Sequence, residues 1–196
     1  MEEVKEPDIE YGRYTYADYL KWRFEEQVEL IKGKIFKMSP APKRIHQEVS
    51  GDVFNLLKNF LRGQKCKVYI APFDVRLPVK SKKNEDIITV VQPDICVICD
   101  PSKLDEAGCI GAPDIVVEVL SKGNTKKELQ NKYEVYEESG VKEYWIIYPE
   151  QQSLLVYTLV DGKYQPSRLL TKGDKLTTPI LQGFVLDLDE VFMDEE

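Results

Sequence analysis

Apolar positions along this chain repeat with two periods, one helical and one extended. Val49, Val53, Leu56, Leu57 and Phe60 recur at helical spacing and predict a helix from about Ile45 to Arg62, stopped by Gly63. His46 sits at the edge of that stripe. Leu129, Tyr133 and Tyr136 mark another helix from Lys126 to Ser139, closed by Gly140. A shorter first helix is predicted from Thr15 to Phe24, with Thr15 as cap and Asp18 in the capping-box position.

Runs that are short, β-branched and bounded by Pro, Gly or polar residues read as strands. Val28 to Met38 folds back at Lys32-Gly33 as a hairpin, and Ser39-Pro40 breaks it. Strands follow over Lys67 to Leu77 and Ile87 to Cys99, joined by a polar, flexible loop, Ser81 to Asp86. Pro101 to Ala112 reads as a connection. Asp114 to Leu120, the helix from Lys126, and Val141 to Tyr148 then form a strand–helix–strand crossover, which requires parallel strands. Leu154 to Leu159 and Lys163 to Leu170 flank Asp161-Gly162, a hairpin turn, and Thr171 to Lys175 makes a second turn. Phe184 to Leu188 is a last short strand. The class is α/β: a mixed β-sheet flanked by helices, with a C-terminal antiparallel hairpin. It forms one domain over residues 14–190, between a polar N-terminal tail (1–13) and an acidic tail (191–196).

With 196 residues the chain suffices for one well-buried domain. No run approaches a membrane span and the N-terminus has no signal-peptide pattern, so a cytoplasmic location is expected. The net charge of −7 is unevenly spread. Residues 1–29 carry −5 and 187–196 carry −6, which leaves +4 on the body. Lys32, Lys34, Lys37, Lys43 and Arg44 fall in a stretch without an acid, which permits a polyanion ligand. Cys96 and Cys99 mimic a metal-binding pair, but their odd offset within a strand sends them to opposite faces. The four cysteines are therefore read as reduced and structural.

One residue breaks the apolar pattern. Glu118 lies inside Ile115-Val116-Val117-Glu118-Val119-Leu120, where an unpaired carboxylate costs several kcal/mol, roughly, and calls for a cation or a metal. Asp94, directly after Pro93, opens the preceding core strand. Two carboxylates on neighbouring strands suit a hard cation such as Mg²⁺. Lys132 falls within the apolar arc of the helix after Glu118 and can reach both. The alternative is purely structural: Glu118 pairs with a Lys or Arg, Asp94 caps a turn, and Lys132 runs past the helix edge to solvent.

The ordered set Glu29-Leu30-Ile31-x-Gly33, Ser39-Pro40, His46, Gln92-Pro93-Asp94 and Ala112 to Ser121 resembles the Uma-two family of restriction-endonuclease-like proteins. The resemblance continues through Lys132, Tyr136, Gly140-Val141 and Glu143-Tyr144-Trp145. The family belongs to the PD-(D/E)XK nuclease superfamily. The resemblance implies a metal-dependent endonuclease acting on DNA, with Asp94 and Glu118 as the acidic pair and the Val119 carbonyl as a further ligand to Mg²⁺ or Mn²⁺. It makes Glu29 an additional acid that binds the metal directly or through water. His46 contacts a phosphate or hydrogen-bonds Glu29. The superfamily's Lys two positions beyond the acid is Leu120 here, so its role passes to Lys132, with Lys122 as the second candidate. A homodimer is expected, because cutting two strands needs two sites. The rival is a nuclease fold used as a binding or scaffold module with weak or no catalysis.

Overall fold

Thr15 opens the first helix as expected: Asp18 Oδ2 accepts from the Thr15 amide at 3.0 Å, the returning half of a capping box. In the computed structural model, which describes residues 13–22, 27–38, 43–121, 123 and 125–192, this helix, α1, spans only Tyr16–Tyr19. Phe24, its predicted end, lies outside the described residues. Tyr16 is the buried residue of this helix, and Leu20, just after it, is 56% exposed. Tyr19 and Trp22, partly buried, pack beside Tyr16 against Leu30, Ile87 and Val90.

The hairpin follows as β1 (Val28–Ile31) and β2 (Lys34–Lys37). Lys32 and Gly33 turn it with φ of 51° and 78°, the left-handed pair that a two-residue hairpin loop needs. The expected break at Ser39-Pro40 lies outside the described residues. Helix α2 (Arg44–Phe60) buries Val49, Val53 and Leu57. Next come β3 (Lys67–Ile70), β4 (Val75–Arg76), β5 (Val90–Val91) and β6 (Ile95–Ile98). The two long strands expected over 67–77 and 87–99 are thus each split, with Pro72 and Pro93 in the gaps. Proline has no N–H to give a ladder, so each chain changes sheet there. The loop expected to be flexible is tied down, since Asn84 and Ile87 carbonyls accept from Ala17 and Tyr16 amides of α1.

The segment read as a bare connection carries a small hairpin, β7 (Leu104–Asp105) and β8 (Gly108–Ile110). Then come β9 (Ile115–Val119), α3 (Lys126–Ser139) and β10 (Glu143–Tyr148), with β9 and β10 parallel as the crossover requires. The remainder is β11 (Ser153–Val160), β12 (Lys163–Pro166), β13 (Leu170–Thr171), β14 (Lys175–Thr177), β15 (Val185–Asp187) and α4 (Leu188–Val191). The β11–β12 hairpin is antiparallel, as expected.

Among the described residues the central sheet runs β12-β11-β10-β9-β6-β3, with β13 beside β11. It is mixed: β9–β10 is parallel and β9–β6 antiparallel. A second sheet runs β2-β1-β5-β4-β8-β7. One face of the central sheet packs Val117, Trp145 and Ile147 against Val53 and Leu57 of α2 and Leu188 of α4. The other packs Cys96, Val116 and Ile146 against Val135 and Tyr136 of α3, together with Val75 and Val91 of the second sheet. The fold class read from the sequence holds, but the described residues form three sheets where one was expected, the third being β14 paired with β15.

Cys96 and Cys99 do face opposite layers, Cys96 with the α3 side and Cys99 with the α2 side. The expectation of four free thiols fails, because Cys66 and Cys99 form a disulfide. The reason is register. Lys67 pairs with Ile98 across β3 and β6, so the next position sets Cys66 opposite Cys99.

Candidate active site

Strand β9 is buried along its whole length, and Glu118, 6% exposed, is the charged residue within it. Helix α3 supplies its partners. Thr125 caps α3 by accepting the Glu128 amide at 3.1 Å, and Gly140 ends it at φ +85°. With those ends fixed, Lys132, Val135 and Tyr136 point at the sheet from one face of the helix. Lys132 Nζ lies 3.0 Å from Glu118 Oε1, and the Tyr136 hydroxyl donates to the same oxygen at 2.8 Å.

The same ammonium meets a second acid. Glu29, 3% exposed on β1, places Oε1 3.1 Å from Lys132 Nζ. The main-chain N–H of Gln92 donates to that Glu29 oxygen at 2.8 Å. The second sheet therefore delivers Glu29 to a site built mainly on the first.

Asp94 enters from β6. Ile95 pairs with Val117, so the next register position places Asp94 opposite Glu118. Its Oδ2 accepts the Val119 N–H at 2.7 Å and lies 3.3 Å from His46 Nε2. His46 stands in the first turn of α2, with Nδ1 3.4 Å from Ser50 Oγ. The structure thus brings together all five side chains singled out in the sequence: Glu29, His46, Asp94, Glu118 and Lys132. One relationship differs, for His46 meets Asp94 rather than Glu29. Val119 contributes a main-chain N–H to Asp94. Lys122 lies outside the described residues, and Lys132, expected by the structural alternative to reach solvent, is 4% exposed.

Charge governs this cluster. Burial, opposed by Lys132 and aided by repulsion from Asp94 and Glu29, raises the Glu118 carboxyl to a pKa of about 8. Burial pulls Lys132 down, but the Glu118 and Glu29 carboxylates outweigh it and hold the ammonium well above the ordinary lysine range. Burial, then Glu118, keeps the Tyr136 hydroxyl protonated and donating. Three carboxyl groups therefore crowd one ammonium, and Glu118 is the one that the other two and burial drive to keep its proton. Asp94 Oδ1 and Glu118 Oε2 accept no hydrogen bond from the described residues. Two carboxylates with free oxygens suit Mg²⁺, which keeps several waters. A full cage is not present: among the described residues no three His, Cys, Asp or Glu group as metal ligands.

Tyr136 and the Gln92 and Val119 amides were not singled out as site groups in the sequence. Tyr136 carries a readable signal, being four residues after Lys132 and so on the same helix face. The two amides carry none, since main-chain donors are common to every residue. The basic stretch is partly engaged: Lys32 Nζ lies 2.9 Å from Glu138 Oε1, and Arg44 pairs with Glu48 at 2.8 Å. Such exposed pairs are worth only about 0–1 kcal/mol.

Comparison with known proteins bears on the fold and the family. A solved structure from Anabaena variabilis, a "putative nuclease belonging to DUF820", superposes with a TM-score of 0.71 at 20% identity. The match covers 91% of this chain and 97% of that one, a likeness of fold. No curated protein matches the chain. The Uma2 family, described as "Putative restriction endonuclease", matches residues 16–189, and the chain belongs to that family.

Proposed function

We propose that the chain is a metal-dependent endonuclease that hydrolyses phosphodiester bonds in DNA. The observation that carries this reading is the buried Lys132 ammonium held between Glu118 and Glu29, with Asp94 in register opposite Glu118. Asp94 and Glu118 would hold Mg²⁺ or Mn²⁺, with the Val119 carbonyl and Glu29 as further oxygen donors. When bound, such an ion lowers the pKa of a water and takes up charge on the scissile phosphate.

The protein's own groups do the positioning. Lys132 fixes the Glu118 carboxylate and presents a cation to the attacking water or the phosphate. Tyr136 holds the same Glu118 oxygen, which sets the carboxylate plane. His46 steadies Asp94 from α2. Lys43, exposed at the start of α2, and Lys34, exposed on β2, would draw in the DNA backbone, so binding weakens with salt. Two copies would serve the two strands of a duplex.

One observation favours a second reading, a nuclease fold serving as a scaffold. Lys132 already neutralises Glu118 in a buried pair, which is also how an inert internal salt bridge looks. Nicking of supercoiled plasmid in Mn²⁺ decides between them. The endonuclease nicks and the Asp94→Asn variant does not, whereas equal behaviour of the two leaves only the scaffold. Calorimetric titration with Mn²⁺ gives a parallel answer, because the scaffold binds no ion there.

A further inference from the structure

Beside the candidate site lies a cavity of about 510 Å³, lined by Tyr69, Phe73, Asp74, Gln92, Glu106 and Gly108 among others. It shares its wall with the site. The Gln92 amide holds Glu29, and the Ala71 amide donates to the Asp94 carbonyl at 2.9 Å. Three features define its chemistry.

Tyr69 and Phe73, both partly exposed, stack face to face with centroids 4.2 Å apart and planes 11° apart, which leaves an outer ring face for a further flat group. Opposite it stand hydrogen-bond acceptors. Gln92 Nε2 donates to Asp74 Oδ1 at 2.8 Å and lies 3.2 Å from the Tyr19 hydroxyl oxygen, so both its N–H groups are spent. Rotating that amide would turn its oxygen against the Asp74 carboxylate, so its orientation is fixed. Gln92 Oε1 is consequently an acceptor, and it is buried without a hydrogen-bond partner. Lastly, no Lys or Arg among the described residues lines the cavity. Phosphate is unwelcome there, while a flat ring with N–H donors on its edge matches every wall.

We infer that this cavity takes one unstacked nucleobase carrying an exocyclic amine (adenine, cytosine or guanine) from the strand whose phosphate lies at Asp94 and Glu118. The inference rests on the nuclease reading for the placement of that strand. The base stacks on the outer face of the Tyr69–Phe73 pair, and its amine donates to the Asp74 carboxylate. Asp105, at the rim, is already matched by Arg76 and leaves the mouth less repulsive to DNA. Thymine, which has no exocyclic amine, is the discriminated base.

Fluorescence anisotropy of the full-length protein with short single-stranded dA, dC and dT homopolymers, in EDTA, tests this without catalysis. Expected is tighter binding of dA and dC than dT, and a loss of about tenfold for dA and dC on Phe73→Ala, which Phe73→Tyr restores. Circular dichroism checks the fold. If Phe73→Ala does not fold, Ala107→Trp, at an exposed lining position, fills the cavity and should abolish the preference by itself. Equal binding of the three oligomers, indifferent to both variants, overturns the inference. Equal binding with displacement by spermidine also overturns it, and assigns the cavity to a cationic ligand. Plasmid nicking run in parallel separates the two proposals. A base preference without nicking keeps the pocket and removes the nuclease, and nicking without a preference does the reverse.

Discussion

Lys132 of α3 and Glu118 of β9 meet at 3.0 Å, both of them buried, from opposite sides of the crossover. Neither belongs in its surroundings without the other. Removing one member of such a pair strands a charge, which costs about 3–5 kcal/mol.

Lys132→Met should therefore lower the melting temperature sharply, by the equivalent of about 3–5 kcal/mol in chemical denaturation. Adding Glu118→Gln to that variant should recover much of the loss, because fewer unpaired carboxylates remain. Both variants should be inactive in plasmid nicking. A Lys132→Met protein as stable as wild type contradicts the pairing.

The raised Glu118 carboxyl fixes the sign of a pH effect. Below its ordinary value of 4.5 the folded and unfolded chains both hold the proton, and this group contributes nothing. Between 4.5 and about 8 only the folded chain keeps it, so stability falls as pH rises. Above about 8 the contribution levels off. Thermal melts across this window should show the decline, and Glu118→Gln should flatten it. Burial raises Glu143 and Asp52 too, so those two residues add to any residual decline. Saturating Mn²⁺ should also flatten the curve for wild type, because the ion competes with the proton for Glu118.

His46 touches Asp94 but no other carboxylate of the site. His46→Asn should reduce nicking by about 10–100-fold, the usual cost of losing a group that orients a metal ligand, with little change in melting temperature. An unchanged rate would remove His46 from the machinery.

The disulfide offers a stability test independent of the site. Cys66 and Cys99 close a loop across 33 positions, for which the loss of chain entropy in the unfolded state gives about 3–4 kcal/mol. Dithiothreitol, or the Cys66→Ser, Cys99→Ser double variant, should lower the denaturation midpoint accordingly. Equal midpoints with and without reductant would contradict it.

The candidate site was legible because its members violate local rules. A Glu in an otherwise apolar strand and a Lys in the apolar arc of a helix both stand out against their neighbours. Glu29 and His46 were legible only through family resemblance, since neither breaks its local pattern. The disulfide and the split strands were not legible. Each depends on which strand lies beside which, a non-local property that hydrophobic periodicity does not encode. The β7–β8 hairpin escaped for a simpler reason, being too short to show any period.

The alignment of β6 with β9 acts on folding as well as on chemistry. Side chains alternate faces along a strand, so a slip of one residue would turn Glu118 away from Lys132 and into the layer of Val53 and Leu57. A carboxylate there would find no cation, at a cost of several kcal/mol, roughly. Apolar strands such as Ile95–Ile98 and Ile115–Val119 have little else to tell one alignment from the next. The acid that serves the site is thus also a proofreading mark, and a misaligned sheet is penalised by the very residue whose function it would destroy.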